Sequence, residues 1–491
     1  MTELQHAAKA TRPRIQPAEE GDRRPLSVSA RLGRLQFHQS GKFRVLQFAD
    51  IQDGPKVSKD TISLIEASLD ATRPDLVIFN GNQIAGYDSA YALTSRKRRW
   101  DARPASASSE ASGERYAAAL EHTRELVRAT IEQLVHPLAD RGVPWAVTFG
   151  NHDFQCGLDN DEIESICREF PGCINPERAA DGTTGIAVKH GVKHGVKHDV
   201  GDMEQDFGLP EQPVIACAPG TFALSVTDVD RTYDVLGLVL LDSGDYARSG
   251  GYGSPSEAAL RFLADAPGLM AAQSQQLQQD RQDEQDSPRE PRKTPSTLPC
   301  MVFQHFPIEQ YYRLLKPVAA TAARAIEGYR NFAGRHFVLN EDKTQPGSYL
   351  GEGVSCPDAD SGEFAILDKA GYFAISAGHD HRNAFVGSVP VGTDGDRQMM
   401  MVASPTSGFG SYGPVPAKRA ARLFEFDIRH PYEPRTQLLE YDELVGKPSA
   451  GKAYAYGMTS ESKPDSEGMD LLHRPTWWSK TWNKLVSLFR R

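Results

Sequence analysis

Five short apolar runs in this sequence end in turns that carry Asn, Asp, Gln or His. The clearest run, residues 145–148, is followed at 149–153 by Phe, Gly, Asn, His and Asp. A short apolar run bounded by turn residues is typical of a buried strand, and Gly150 allows a tight turn at its end. The amide, imidazole and carboxylate that follow are suited to metal ligation and acid–base chemistry. A turn without chemistry is the alternative for any single cluster, but five such clusters are hard to obtain by chance.

The candidate ligands at these strand ends are oxygen and nitrogen donors rather than thiolates. They are Asp50 and Gln52, Asn82, Asn151, His305, and His379 and His381. Such a donor set suits Mn, Fe or Zn in a reactive site better than it suits a structural zinc site.

The first part of the chain predicts an α/β fold. Residues 43–49 and 75–79 are apolar and have the length of strands, and residues 58–72 between them carry apolar side chains at helical spacing. Pro74 follows the predicted helix and marks its end. A strand–helix–strand unit of this kind favours two parallel strands joined by a helical crossover.

Composition excludes several classes of protein. The chain has 491 residues and a net charge of −10, which disfavours a general nucleic-acid partner. No run of 18 apolar residues is present, and the polar residues 1–25 contain no secretory signal, so we expect no membrane span. The six cysteines form no Cys-x-x-Cys pair, and we expect reduced thiols in a cytoplasmic protein.

The pattern along the chain predicts one large domain with two extensions. We expect a disordered or loosely attached arm at 1–40, a domain at 41–442, and a C-terminal tail at 443–491. Segments 181–203 and 272–298 are expected to be surface insertions, because the first is repetitive and the second is rich in Gln, Asp, Arg and Pro.

Two further segments allow more than one interpretation. The tandem repeat of Val-Lys-His-Gly at 188–199 carries His190, His194 and His198, and it is either a flexible insertion or a metal-binding tract. Residues 476–491 combine three tryptophans and other apolar residues with four basic residues. This composition is typical of an interfacial amphipathic helix, which would contact a membrane surface; a helix docked on its own domain and a dimer contact are the alternatives.

The order of the clusters resembles the calcineurin-like metallophosphoesterases, a superfamily that includes purple acid phosphatases. Its blocks run Asp-x-His, Gly-Asp, Gly-Asn-His-Asp/Glu, His and Gly-His-x-His, and here they begin at Asp50, Gly81, Gly150, His305 and Gly378. The glycine-rich residues 407–413 also look like a segment of the cytosolic purple-acid-phosphatase-like members. This segment lacks the Gly-Lys-Ser/Thr ending of a nucleotide-binding P-loop.

The resemblance, which covers about residues 43–428, implies a fold and a set of roles. The fold would be two packed mixed β-sheets flanked by helices. Two divalent metal ions (Mn, Fe or Zn) would lie at the strand ends. One would be held by Asp50, Gln52 and His381, the other by Asn151, His305 and His379, with position 82 bridging them.

The resemblance also implies a reaction, in which a metal-bound hydroxide attacks the phosphorus of a phosphomonoester or phosphodiester. His152 would donate a proton to the leaving group, and Asp153 would orient its ring. Gln52 and Asn82 depart from the family pattern, which has His and Asp at these positions. The neutral amide of Asn82 cannot supply a bridging negative charge. The alternative function is therefore that of a catalytically impaired relative that binds a phosphate-bearing partner or acts as a scaffold.

Overall fold

The computed structural model describes residues 24–101, 110–177, 189–190, 208–283 and 295–446. The histidine repeat, apart from a two-residue strand, and the tryptophan-rich C-terminal segment lie outside these ranges. The interpretations offered for those two segments therefore remain predictions.

The described strands form a five-stranded, an eight-stranded and a three-stranded sheet. The strands are β1 (Lys42–Phe48), β2 (Leu76–Asn80), β3 (Trp145–Thr148), β4 (Lys189–His190), β5 (Pro213–Ala218), β6 (Thr221–Thr227), β7 (Asp234–Leu241), β8 (Cys300–Gln304), β9 (Leu315–Val318), β10 (Ile326–Glu327), β11 (His336–Leu339), β12 (Tyr372–Ala377), β13 (Val386–Val391), β14 (Arg397–Ala403), β15 (Ala420–Asp427) and β16 (His430–Glu440). Their orders are β16-β15-β1-β2-β3, β13-β14-β12-β8-β7-β6-β5-β4 and β10-β11-β9.

Parallel pairing dominates the centre of each large sheet. Strands β1, β2 and β3 are mutually parallel in the first sheet, and β7, β8, β12 and β14 are parallel in the second. The remaining strands of the two sheets pair antiparallel, so both sheets are mixed. Since parallel strands end at the same edge, the loops after β1, β2 and β3 lie side by side, as do those after β7, β8 and β12.

Helices cover the outer faces of both sheets. They are α1 (Val28–Leu32), α2 (Lys59–Thr72), α3 (Glu110–Asp140), α4 (Asn160–Cys167), α5 (Glu257–Asp283), α6 (Glu363–Ala370) and α7 (Tyr441–Val445). Helices α2, α3 and α4 pack on the five-stranded sheet, and α5 and α6 pack on the eight-stranded sheet. The predicted α/β class, two packed mixed sheets flanked by helices, is confirmed.

The alternation of side chains along each strand explains the layers. On β2, Leu76 and Ile78 lie in the core between the sheets, whereas Val77 and Phe79 face the helices. Both faces of the strand are buried, which is why the sequence shows a continuous apolar run rather than an alternating one. Each such buried side chain contributes roughly 1.5–3 kcal/mol.

A buried polar network joins the two sheets next to the strand ends. The side-chain oxygen of Gln47 on β1 accepts a hydrogen bond from Ser376 Oγ on β12 at 2.7 Å. Arg422 on β15 donates to Ser404 Oγ at 2.9 Å and to the carbonyl of Ala403. These bonds satisfy buried polar groups and fix the edges of the sheets against each other.

The N-terminal segment differs from the predicted loose arm. Within the described part of residues 1–40, Leu35 and Phe37 are fully buried. The buried carboxylate of Asp75 accepts hydrogen bonds from Ser29 Oγ at 3.0 Å and lies 2.7 Å from His38 Nε2. Residues 24–40 are therefore packed, because their apolar side chains enter the core and their polar ones bind a buried carboxylate.

The predicted insertion at 272–298 begins inside helix α5, which continues to Asp283, and Leu298 is buried just before β8. Within the described residues, no helix combines the length and the apolar character that crossing a membrane requires.

Candidate active site

The candidate ligands predicted from the sequence lie together where the two sheets meet. Each lies in the loop after its strand, and four of these seven residues have a left-handed backbone with positive φ: Asp50, Gln52, Asn82 and His379. Ordered by strand they are Asp50 and Gln52 after β1, Asn82 after β2, Asn151 after β3, His305 after β8, and His379 and His381 after β12. All are buried, with His379 the most exposed at 7%.

Glycines in the motifs allow this close approach. A Cβ at Gly150 would lie 2.2 Å from Asn82 Oδ1, and a Cβ at Gly378 would lie 2.7 Å from Asp50 Oδ2. Both distances are far shorter than atoms tolerate. These positions need glycine because a neighbouring ligand packs directly against the backbone.

Asn82 lies at the centre of the cluster and presents its amide hydrogens to it. Its Nδ2 lies 3.1 Å from Asp50 Oδ1, 3.3 Å from Asn151 Oδ1 and 3.0 Å from His305 Nε2. Its Oδ1 points the other way and accepts a hydrogen bond from the backbone N–H of His152 at 2.9 Å. The resemblance to calcineurin-like metallophosphoesterases implies a residue at this position that bridges two cations. Here the position holds a hydrogen-bond donor.

Asn151 and His305 present converging lone pairs. His305 Nδ1 lies 3.3 Å from the carbonyl oxygen of Asn80, so the proton on this nitrogen leaves Nε2 as an acceptor. Asn151 Oδ1 lies 3.0 Å from that Nε2, while its Nδ2 donates to Tyr246 Oη at 2.9 Å. Two acceptors this close have the spacing of neighbouring ligands bound at about 2.1 Å to one cation.

Burial keeps the nearby imidazoles neutral. It lowers the pKa of His305, and it lowers the pKa of His379 well below its usual value. Neutral imidazole is the form that ligates metals. Among the described residues, neither ring nitrogen of His379 has a hydrogen-bond partner; its ring meets Tyr252 and Phe306 edge-on, with centroids 4.3 and 4.7 Å away.

The other side of the cluster is held together by an acid–imidazole pair. His381 Nε2 lies 3.3 Å from Asp50 Oδ1, and His381 Nδ1 lies 2.7 Å from the carbonyl oxygen of Tyr412. Burial opposes charge on His381, but Asp50 beside it raises the pKa of the imidazole. Burial likewise opposes ionisation of Asp50, but His305 and His381 hold the pKa of its carboxyl well below the usual range.

Gln52 binds the glycine-rich segment 407–413. Its Oε1 accepts a hydrogen bond from Ser411 Oγ at 3.1 Å. A Cβ at Gly408 would lie 1.6 Å from the carbonyl oxygen of Ile51, so this segment packs directly on the loop after β1. Buried Arg419 donates to the carbonyl oxygens of Gly408 and Ser411 and fixes the segment there. The structure agrees with the prediction of a glycine-rich loop beside the site.

His152 is a neutral imidazole at the edge of the cluster. Its Nδ1 lies 2.7 Å from Gln155 Oε1, and its Nε2 lies 3.3 Å from Asn151 Nδ2. These partners assign the proton to Nδ1 and the lone pair to Nε2, which accepts a long hydrogen bond from Asn151 Nδ2. Burial lowers the pKa of His152 to about 4, although the bond to Gln155 opposes the shift. The predicted proton donor is therefore, near neutral pH, a ring that must first accept a proton.

Asp153 does not orient His152, and this prediction is wrong. Its carboxylate oxygens accept hydrogen bonds from the backbone N–H groups of Asn82, Gln83 and Gly150, each at 2.8 Å. Burial raises the pKa of Asp153 to about 7, and those backbone donors oppose the rise. Asp153 thus ties the loop after β3 to the loop after β2, and Gln155 takes the role of orienting His152.

The donor set fits one divalent cation better than two. Asn151, His305 and His379 offer two converging lone pairs and an imidazole without a partner, which suits a cation on their side. On the other side, Gln52 is engaged by Ser411. Asn82 presents N–H groups to both sides, so it places no negative charge between two cations. No group of three or more His, Cys, Asp and Glu side chains arranged to hold a metal exists among the described residues, so amides would have to complete any site.

Three residues of the site had no role assigned from the sequence. Tyr246 follows β7, Gln155 follows His152 within the short 3₁₀ turn Asp153–Cys156, and Arg98 lies in a loop far from any strand end. Only Tyr246 carried a signal, since it follows an apolar run that ends in Asp-Ser-Gly-Asp.

Comparison with known proteins supports the motif analysis. Residues 43–213 match the family model for calcineurin-like phosphoesterase. This confirms the resemblance predicted from the motifs, and the matched segment contains Asp50, Asn82, Asn151 and His152.

The chain is also similar to individual proteins at low identity. It is 21% identical to phosphatase DCR2 of Saccharomyces cerevisiae over 74% of this chain and 47% of the yeast protein, so the match spans about half of that relative. It is 20% identical to probable inactive purple acid phosphatase 29 of Arabidopsis thaliana, over 94% of this chain and 92% of that one. A solved structure described as GAP50, the anchor in the inner membrane complex of Plasmodium, covers 82% of this chain and 86% of its own at 10% identity, with a TM-score of 0.35.

Proposed function

We propose that this chain hydrolyses phosphate esters at the cluster where its strands end. One observation carries the proposal: side chains from five loops distant in sequence meet in one cluster around Asp50 and Asn82, with His152 beside them. Burying this many polar groups is costly unless they are paired, so a purely structural origin is a poor explanation. The family match supports a phosphoesterase.

A divalent cation (Mn, Fe or Zn) would be held by Asn151, His305 and His379. Asp50 and His381, with Gln52, would hold a second cation more weakly. A bound cation supplies Lewis-acid stabilisation of negative charge on phosphoryl oxygens. Asn82 favours the single-cation state because its amide has no negative charge to place between two cations.

The chain's own residues supply positioning and a proton acceptor. Tyr246 Oη accepts from Asn151 Nδ2, which directs Asn151 Oδ1 toward His305. His152 is unprotonated at Nε2, which accepts a long hydrogen bond of 3.3 Å from Asn151 Nδ2, and Gln155 fixes its ring. His152 would therefore take up a proton from solvent at Nε2 and donate it to the departing oxygen, which leaves the ring neutral again.

The test combines metal analysis with a substrate panel. Wild type, His305→Ala and Asp50→Ala would be purified, loaded with Mn²⁺ and analysed for bound metal, and then assayed on phosphomonoesters and phosphodiesters. We expect His305→Ala to lose bound metal and turnover, and Asp50→Ala to keep most of the bound metal. Wild type that binds Mn²⁺ but hydrolyses none of the esters would contradict the proposal.

A second function is favoured by the hydrogen bonds of Asn82. The two hydrogens of Asn82 Nδ2 are shared among Asp50, Asn151 and His305 and hold these groups together without a cation, as expected of a relative that binds a phosphate-bearing partner without hydrolysing it. Phosphate binding by wild type with no turnover at any metal concentration would select this alternative.

We also propose that the protein works in a reducing, cytoplasmic compartment. All six cysteines are free thiols, and five of them are buried. Thiols without disulfide partners are typical of such a compartment. Localisation of a tagged full-length chain by microscopy tests this assignment.

A further inference from the structure

A short cationic segment, residues 96–99, is fixed at the edge of the site. The backbone N–H of Arg96 donates to the carbonyl oxygen of Gln155 at 3.0 Å. Gln155 Nε2 donates to the carbonyl oxygen of Lys97 at 3.2 Å, and the same Gln155 side chain binds His152. The residue that orients His152 therefore also fixes the position of this segment.

Arg98 extends from that segment over an aromatic ring that contacts the site. Its guanidinium carbon lies 3.7 Å from the centroid of the Tyr246 ring. The hydroxyl of that ring accepts from Asn151 Nδ2 at 2.9 Å. Tyr246 also stacks on Tyr252, whose ring meets His379 edge-on. A single aromatic ring thus separates the cation from a candidate ligand.

Among the residues that the structure describes, no ion pair with a carboxylate neutralises the charge of Arg98. Its Nη1 makes a long hydrogen bond of 3.4 Å to the carbonyl oxygen of Lys97, and the Asp101 carboxylate accepts the backbone N–H of Arg98 at 2.9 Å. Its neighbour Arg99 is different, since it binds Asp242 at 3.1 Å and lies 3.7 Å from Asp245. Arg99 has a structural role, and Arg98 keeps donors available for a ligand.

A guanidinium stacked on a ring is well suited to bind phosphate. The ring covers one face, while the N–H groups at the edge stay free to bind two oxygens at once. The protein carries a net charge of −10, and amides replace charged or basic ligands at positions 52 and 82. A fixed cation beside the site attracts an incoming anion and so offsets its repulsion by the negatively charged protein. This attraction is larger for a dianion than for a monoanion.

We propose that Arg98, held by Tyr246, binds the phosphate group of the ligand and selects phosphomonoesters over phosphodiesters. A monoester is a dianion near pH 8 and offers three free oxygens, whereas a diester carries one charge. The inference rests on the proposed function only in that the site binds phosphate esters; it requires no turnover.

The test measures binding of two anions to full-length protein by calorimetry at about pH 8. Inorganic phosphate represents the dianion and dimethyl phosphate the monoanion. For Arg98→Gln we expect phosphate to bind about tenfold more weakly, and dimethyl phosphate about threefold more weakly, because the attraction scales with ligand charge. Lys97→Gln, which removes an exposed charge one residue away, is the matched control and should change neither affinity.

Three results would overturn the inference. They are unchanged phosphate binding in Arg98→Gln, an equal loss in Lys97→Gln, and an equal loss for both anions. If Arg98→Gln melts below wild type, Arg98→Lys replaces it; the proposal then expects partial loss of phosphate binding, and wild-type affinity contradicts it. Hydrolysis by wild type is assayed separately, so a protein without turnover that still needs Arg98 for phosphate would contradict only the proposed function.

Discussion

Replacing Asn82 by Asp tests what the centre of the site is built to hold. In wild type, Asn82 Nδ2 lies within 3.3 Å of Asp50 Oδ1, Asn151 Oδ1 and His305 Nε2. Asn82→Asp removes these donors and places a carboxyl oxygen beside the Asp50 carboxylate in a fully buried position. Without a cation, the folded state must protonate the new carboxyl or tolerate the repulsion.

The cost follows from the contacts that are lost. A hydrogen bond to a charged group contributes about 1.5–3 kcal/mol, and breaking a buried charged network costs roughly 3–5 kcal/mol. We therefore expect Asn82→Asp to lose on the order of 3 kcal/mol of unfolding free energy in EDTA, or on the order of 5 °C in melting temperature. With divalent cations present, we expect Asn82→Asp to raise the unfolding free energy instead of lowering it. The new carboxylate then lies between positive charges, and cation binding stabilises the folded state by mass action.

The assay is thermal unfolding in EDTA and in rising Mn²⁺. The mutant should melt lower than wild type in EDTA, and Mn²⁺ should raise its melting temperature more than that of wild type. Asn80→Asp is the control: Asn80 is also buried and donates to the carbonyl oxygen of Gln304 at 2.7 Å, outside the cluster, so Mn²⁺ should not rescue it. Equal melting of Asn82→Asp and wild type in EDTA would refute the reasoning.

Three other substitutions probe separate parts of the account. His152→Ala should lower turnover about 10²–10⁴-fold with bound metal unchanged, and wild-type turnover would remove His152 from the mechanism. Gly150→Ala should abolish metal binding and turnover, because its Cβ would lie 2.2 Å from Asn82 Oδ1, whereas Gly113→Ala, whose Cβ meets nothing within 4 Å, should do neither. Burial raises the pKa of Glu363 to about 8, so its ionisation destabilises the folded state as pH rises from about 4.5 to 8. Glu363→Gln should remove this loss of unfolding free energy, up to about 4–5 kcal/mol for the shift of the Glu363 pKa, and so flatten the fall in melting temperature over that range. An unchanged pH profile would show that Glu363 ionises freely.

The sequence predicted the elements of this fold because both faces of the central strands are buried. Continuous apolar runs such as 76–79 stand out against polar turns. The predicted helix 58–72 agrees with α2 to within one residue, since Ser58 is its N-cap and accepts from the N–H of Asp60 at 3.3 Å. The candidate ligands follow these strands directly in sequence, so predicting the strands also identified the candidate ligands. That they meet in one place was implied by the family resemblance.

The roles of individual side chains were harder to predict. Asp153 follows His152 in sequence, but its carboxylate turns away to bind three backbone N–H groups from two loops. Gln155 reaches His152 because residues 153–156 form a 3₁₀ turn. Such partners depend on local turn geometry. Arg98 and Tyr246 are separated by more than a hundred residues, and only the packing of the loops brings them together.

The most direct test of the central claim is a titration of metal-free wild type with Mn²⁺. Bound metal and hydrolysis of a phosphomonoester would be followed in the same samples. The account predicts that hydrolysis rises with the first equivalent of Mn²⁺ and is nearly complete when one ion is bound, because Asn151, His305 and His379 form the stronger position. Hydrolysis that begins only with a second bound ion, or no hydrolysis at any occupancy, would contradict it.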